Sequence, residues 1–270
     1  KKRDGCPPWT IKAKKITHDK NKKIINYQNA WLQVYDKPIF YFPRFFHPDP
    51  TVKRQSGFLI PKFSDSSSAG TSLQIPYFKV LANNKDMTFS PRIFADQKLI
   101  LQNEYRHVEK NYDHIMDVGI FTSTLSNEQQ TSKSHFFSNT KFEFNNNFFQ
   151  ESDLQVNLEQ VTNDTYLKKY KINSPLIKSE TVMHTFLEYN GYNDESSLNF
   201  SVESYEDLTK NSHDRYEFIY PDITYSKDLE KNFNLDGLLN LSSNVYQKQF
   251  NTNQYQQTLT NDLIYSSPIK

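Results

Sequence analysis

Apolar and polar residues alternate with period two along almost the whole chain, and helical periodicity is nearly absent. In FNLDGLLNLSSNVYQ, Phe233, Leu235, Leu239, Leu241 and Val245 share one face, while Asn234, Asp236, Asn240, Ser242 and Asn244 share the other. DLQVNLEQV sets Leu154, Val156 and Leu158 against Gln155, Asn157 and Glu159, and SLNFSVESY sets Leu198, Phe200 and Val202 against Asn199, Ser201 and Glu203. Such segments are strands with one apolar and one polar face. They recur over Gly70–Leu81, Asp86–Phe94, Leu99–His107, Tyr112–Thr122, Ser134–Phe144, Phe148–Gln160, Lys178–Tyr189, Ser196–Leu208, Tyr216–Leu229, Phe233–Phe250 and Gln254–Ser266. Most run to roughly 9–14 residues, enough for a tilted membrane strand, which needs about 9–11, whereas sandwich strands average nearer 5–6. Short turns (Asn83–Lys85, Ala95–Lys98, Asn145–Asn147) alternate with longer links (Ser126–Lys133), and Thr162–Lys178 is long enough for a loop excursion.

Composition decides what those two-faced strands enclose. Only 36% of residues are hydrophobic, yet there are 21 Phe and 17 Tyr. That is a thin core for a soluble globule, and too many aromatics for a disordered chain. Transmembrane β-barrels need an apolar residue only at alternate positions and gather aromatics at the membrane interfaces. The polar faces favour Asn, Gln, Ser and Asp over the Lys and Glu of a face in bulk water, as a wet lumen would. No run approaches 18 apolar residues, which excludes a membrane helix and says nothing of a barrel.

Charge divides the chain. Residues 1–63 carry 14 Lys/Arg against 4 Asp/Glu, and the remainder carries 18 against 27. The basic front reads as three strands, WTIKAKKITHD, KKIINYQNAWLQVYD and PIFYFPRFF, with Asp19, Lys20 and Asn21 at a hairpin tip. This is the edge of a β-sandwich or jelly roll, with Trp9 and Trp31 as packing residues. The two prolines of HPDP end it. The expected domains are therefore 1–50, closing strands of a jelly roll, and 51–270, part of a barrel. Both ends read as cut, no apolar leader follows KKRDGCPPW, and Cys6 is free or pairs outside the sequence.

The run from PPWTIKAKKITHD through INYQNAWLQVYDKPIFYFPRFFHPDPTVKRQSGFLIPKF to GTSLQIPYF, DMTFSPRI and EYR closely resembles the LptD family of outer-membrane lipopolysaccharide-assembly proteins. YEDLTKNSHDRYEFIYPDITYS resembles a second block of the same family. The resemblance implies an all-β chain: the end of a periplasmic jelly-roll (β-taco) domain, then part of a large antiparallel transmembrane barrel. It implies location in the cell outer membrane, with the front in the periplasm. The implied partners are lipopolysaccharide, an LptE-like plug lipoprotein, an LptA-like bridge protein and outer-membrane lipids. In such a protein lipopolysaccharide leaves sideways between the first and last barrel strands. Cys6 matches a family cysteine that ties the two domains together through a partner outside this chain.

Pro61 and Pro76 fall in adjacent strand segments, where each removes a ladder donor, at roughly 1 kcal/mol per lost bond. They read either as strand terminators, as Pro91 does, or, with Gly57 and by the resemblance, as a lateral gate. Arg44, Lys53 and Arg54 precede that segment and could meet lipid phosphates, or merely solvent and phospholipid. The seven histidines lack ligand spacing, and no phosphate loop, nucleophile elbow or nucleic-acid signature occurs. No metal, cofactor, nucleic-acid partner or catalysis is expected. A generic porin or substrate channel is the rival reading. An outer-membrane hydrolase is weaker, since the adjacent Ser134 and His135 would face opposite sides of a strand. A soluble β-sandwich binding module is the third.

Overall fold

The computed structural model describes residues 9–34, 36–52, 54–123, 133–211, 213–229 and 237–267. Its residues pack as two compact units, 1–58 with 78–80, and 59–77 with 81–270. Among the described residues no helix is long and apolar enough to cross a membrane.

The first unit holds a three-stranded antiparallel sheet in the order β1 (Trp9–Asp19), β2 (Ile24–Val34), β3 (Lys37–Pro48). The expected hairpin tip is present: the Asp19 carboxylate accepts hydrogen bonds from the backbone N–H of Asn21 (3.1 Å) and Lys22 (3.0 Å). Lys23 closes the turn in the left-handed region at φ 52°. Asn29 is also left-handed, at φ 50°, and its side chain accepts the Tyr41 hydroxyl at 2.6 Å. Rings of Tyr27, Phe45, Phe42 and Phe40 follow one another along this sheet. Trp31 is 43% exposed and packs on Tyr41 at 4.9 Å instead of entering a core.

The remaining strands are β4 (Gly57–Phe58), β5 (Lys62–Ser64), β6 (Ser72–Gln74), β7 (Tyr77–Ala82), β8 (Lys85–Phe94), β9 (Lys98–Glu109), β10 (Tyr112–Ser123), β11 (Lys133–Phe144), β12 (Glu151–Val161), β13 (Val182–Tyr192), β14 (Ser196–Asp207), β15 (Tyr216–Asp228), β16 (Leu238–Phe250) and β17 (Tyr255–Ser266). They form one antiparallel sheet running from β17 back through β8 to β6 and β5, with β4 paired to β7. No pairing joins β17 to β5 among the described residues. The strands from β8 onward match the expected segments to within a few residues, except that residues 233–236 of the expected Phe233–Phe250 lie outside the described residues. Two expectations fail around proline. Gly70–Leu81 is not one strand but two, β6 and β7. Pro91 does not terminate a strand: it lies inside β8 opposite Leu101, and its carbonyl accepts the Ile75 N–H at 3.0 Å. Proline lacks only a donor, so a strand keeps it where the neighbour asks for a carbonyl. Pro221 in β15, by contrast, sits at a register shift.

Alternation assigns the two faces. Leu101, Ile120, Phe136, Leu158, Leu187, Val202, Val245 and Leu259 stand exposed on the apolar face. The opposite face is knitted by amides: Asn139 Nδ2 donates to Asn157 (2.9 Å), Asn199 Nδ2 to Asn190 (2.6 Å) and Asn244 Nδ2 to Asp222 (2.9 Å). At one end this polar face turns apolar. Phe94, Ile100, Phe121 and Phe137 are buried there beneath residues 162–181. In that segment a short helix, α1 (Tyr166–Tyr170), contributes Tyr166, Leu167 and Tyr170, at most 1% exposed. Five residues are too few for a helix to stand alone, so its stability comes from this packing.

Gly119 on β10 lies against the His135 ring. A Cβ there would fall 2.1 Å from His135 Cε1, and the ring, stacked on Phe137 at 4.6 Å and covered by Tyr166, has nowhere to move. Gly119→Ala is expected to destabilise the sheet by about 1–3 kcal/mol, read as a lower denaturation midpoint, whereas Gly57→Ala, whose Cβ would meet nothing within 4 Å, leaves it unchanged.

Candidate functional site

The segments SGFLIPKFS and TSLQIPYFKV lie side by side, and their ladder fails at the prolines. On one side of the failure Lys62, Phe63 and Ser64 pair with Gln74, Leu73 and Ser72. On the other, Leu59 N–H donates to Pro76 O at 2.8 Å. In an antiparallel pair that bond has a return partner, here the N–H at position 76 donating to Leu59 O, and proline has none to give. Three steps on the first strand, Leu59 to Lys62, span two on the second, Pro76 to Gln74, so Ile60 and Pro61 form a bulge. The side chains left at the break are strongly exposed: Ile60 at 84% and Phe63 at 73%, with Pro76 buried behind them. The structure thus brings Pro61 and Pro76 together.

The strands that border the break are weakly held. Three residue pairs join β5 to β6 and three join β6 to β8, against twelve between β9 and β10. Behind the break lies a cavity of about 430 Å³. Leu59, Ile60 and Pro76 form its wall on the seam side, and Ile100 of β9 with Ile172 of the long loop forms the other. Arg92, Lys62 and Lys171 bring positive charge to it and Glu104 brings a carboxylate. Apolar walls with a cationic excess suit an amphiphilic anion. Sequence reasoning did not find Arg92, Lys62 or Lys171, because their convergence depends on the loop returning to the sheet. One signal was available: adjacent apolar pairs, Ile93–Phe94, Ile100–Leu101, Ile120–Phe121 and Phe136–Phe137, break the alternation where the loop covers the otherwise polar face, one member of each pair being buried beneath it and the other exposed on the apolar face.

The other expected residues lie elsewhere. Gly57 sits in β4 with open space around it, so no close approach there requires glycine. Arg44 on β3 and Arg54 in the segment before β4 are both exposed, on separate stretches of chain. Cys6 and Lys53 lie outside the described residues, as does the side chain of Trp9. A buried set that the sequence concealed sits under α1. Gln102 Nε2 donates to Asp117 Oδ2 (2.8 Å), His135 Nε2 is 3.4 Å from Asp117 Oδ1, and Tyr166 covers the histidine. Among the described residues no three His, Cys, Asp or Glu side chains are placed to hold a metal ion.

Two anchors hold the long loop at its beginning. Asn163 Oδ1 accepts the N–H and hydroxyl of Thr165 (3.2 and 3.1 Å), and Arg215 grips both oxygens of Asp164 (2.6 and 3.0 Å) while its Nε donates to Glu206 (2.7 Å). The hydrogen bond from Arg215 holds the Asp164 carboxyl below its ordinary range, against a smaller opposing effect of burial.

The fold and seam define a class: an all-β chain built on a wide antiparallel sheet, apolar on one face and amide-rich on the other, the pattern that membrane β-barrels use. No family model matches the chain. It is similar to proteins named LPS-assembly protein LptD: 35% identical over 130 residues to that of Psychrobacter cryohalolentis (46% of this chain, 12% of that protein). The Legionella pneumophila protein is 30% identical over 183 residues (62% and 22%), and the Pseudomonas aeruginosa protein 36% over 116 (42% and 12%). The chain spans 12–22% of the length of these relatives. Among solved structures, the outer membrane channel DcaP of Acinetobacter baumannii aligns with 89% of this chain and 78% of its own, at 9% identity and a TM-score of 0.33.

A lowered carboxyl contributes above its unfolded pKa, near 3.9, and that contribution disappears as pH falls through the folded value. Proteolysis within residues 162–178 is therefore expected to stay slow at neutral pH and accelerate below about pH 4. In Arg215→Ala cleavage should already be fast at neutral pH. Equal cleavage of both proteins at pH 7 would exclude this anchor.

Proposed function

We propose that the chain is part of a lipopolysaccharide-assembly protein of the outer membrane, and that the seam at Pro61 and Pro76 is a lateral gate. The strands from β5 onward form barrel wall, with the apolar face toward lipid. The sheet of β1–β3 belongs to a periplasmic domain that receives lipopolysaccharide from a bridge protein. The glycolipid then passes sideways through the seam into the outer leaflet. An LptE-like lipoprotein fills the lumen of the whole barrel. The protein carries out transport without catalysis, and the domain boundary near residue 50 separates the receiving part from the inserting part.

The observation that carries this reading is the broken ladder. In hydrocarbon an unpaired backbone carbonyl costs several kcal/mol, so a barrel wall avoids proline unless a weak seam is tolerated or used. Here two prolines interrupt neighbouring strands at one place, and short ladders flank the interruption. The cavity behind it offers cations and apolar walls together, which fits phosphate groups joined to acyl chains. Arg44, Lys53 and Arg54 then serve as earlier phosphate contacts on the route, and Cys6 as half of an interdomain disulfide. A plain porin would use its lumen alone and gain nothing from a breakable wall.

The test is Pro61→Ala with Pro76→Ala in the full-length protein that contains this chain. Restoring the donor at position 76 opposite Leu59 O, at about 1 kcal/mol, should make opening roughly fivefold rarer, and Pro61→Ala removes the second ring from the bulge. Surface lipopolysaccharide, measured in cells that depend on the variant, is expected to fall while the amount of assembled protein holds. Normal surface lipopolysaccharide in the double variant would sink the gate, and small-solute uptake that follows the protein's abundance would favour the porin.

A further inference from the structure

We propose that residues 166–173 form an internal strap that holds the β5–β6 hairpin to the sheet, with Arg92 as the residue that couples strap and hairpin. The inference rests on the gate reading above and assigns that gate a restraint.

A helix ends with carbonyls that its own turns cannot satisfy. In α1 two of them are closed locally: Ile172 N–H donates to Leu167 O (3.0 Å) and Lys171 N–H to Lys168 O (3.4 Å), with Lys171 left-handed at φ 49°. The remaining two, Lys169 O and Tyr170 O, turn to the seam. Ser68, in the β5–β6 turn, donates its hydroxyl to Lys169 O at 3.2 Å. Arg92, on β8, donates Nη1 to Tyr170 O at 2.5 Å and Nε to Ser72 Oγ of β6 at 2.9 Å. One guanidinium thus bonds the strap and the gate-bordering strand at once. Further along, Asn173 O accepts from Gln102 of β9 at 3.0 Å.

The strap is firmly footed where it does not touch the hairpin. Tyr166, Leu167 and Tyr170 are buried among Phe94, Phe121 and Phe137, on strands with long ladders. The β5–β6 hairpin, held by three residue pairs on β8, is the light element of the pair. A side-chain hydrogen bond from a charged donor is worth more than a neutral one, so Arg92 supplies a large share of what keeps this hairpin down. The planar guanidinium presents Nε and Nη1 to the two acceptors in a fixed fork, which a lysine ammonium on its flexible stem does not reproduce. The strap also roofs the cavity behind the break through Lys171 and Ile172, so its release would free the hairpin and open that space together.

The experiment is hydrogen–deuterium exchange on the assembled full-length protein carrying Arg92→Gln, with Tyr170→Ala as a second variant that removes the footing instead of the bond. Only the heat-modifiable, membrane-assembled fraction is analysed, so misfolded chains do not enter. Exchange over residues 57–76 is expected to rise at least about tenfold in Arg92→Gln, which loses its charge-assisted hydrogen bonds, and to rise also in Tyr170→Ala, which loses the footing, with β11–β14 unchanged in both. Exchange over 57–76 within twofold of the unsubstituted protein would overturn the strap, and so would a uniform rise through the sheet, which marks general loosening. Surface lipopolysaccharide measured in the same variants separates the two ideas. A freed hairpin with no change in lipopolysaccharide delivery leaves the strap standing and removes the gate.

Discussion

An antiparallel sheet is held by reciprocal backbone bonds, each pair of opposed residues exchanging N–H and C=O, and everything distinctive in this chain follows from where that exchange fails. From β8 to β17 it runs through ladders of seven to twelve pairs. At Leu59 and Pro76 it is one-sided: the leucine donates and the proline has nothing to return. A single missing donor is a minor defect in a long strand, as Pro91 shows by sitting inside β8 with its carbonyl in use. The same defect between strands of two and three residues leaves little else to hold the ladder. Length of the neighbouring ladder, not proline itself, sets the consequence.

The second failure of self-sufficiency is the end of α1. A five-residue helix cannot bury its own terminal carbonyls, and the chain satisfies them with side chains from the part of the sheet that is least secure. Two weak elements are thereby joined through polar bonds, while an apolar cluster on strands β8 to β11 supplies the footing. The polar face of the sheet accordingly has two regions. One is a lattice of amides and carboxylates, and the other is an apolar floor made for the loop that lies on it.

Strands and their faces were legible because period two is a local property: a residue and its second neighbour point the same way whatever surrounds them. The hairpin at Asp19 and the excursion at Thr162–Lys178 were legible for the same reason, since turn chemistry and segment length need no distant partner. Proline was half legible. Its missing donor was certain from sequence, but whether the strand ends there depends on which way that position faces, and so Pro91 was misread while Pro61 and Pro76 fell at a true interruption. The sequence reading placed cationic contacts at Arg44, Lys53 and Arg54 from their proximity along the chain. The structure gathers Arg92, Lys62 and Lys171 around one cavity from positions tens of residues apart.

The amino-acid order by itself determined an all-β chain with two-faced strands, a basic front, and two prolines in neighbouring segments. Those statements need only the geometry of one strand and the chemistry of one ring. Only the tertiary structure decided that Ser68 and Arg92 meet the carbonyls of Lys169 and Tyr170, that Arg92 also bonds Ser72, and that Phe94, Phe121 and Phe137 turn inward beneath the same loop. A backbone carbonyl carries no mark in the sequence of whether its own helix will satisfy it. Its partner is chosen by where the loop comes to rest, and that depends on the packing of the whole face.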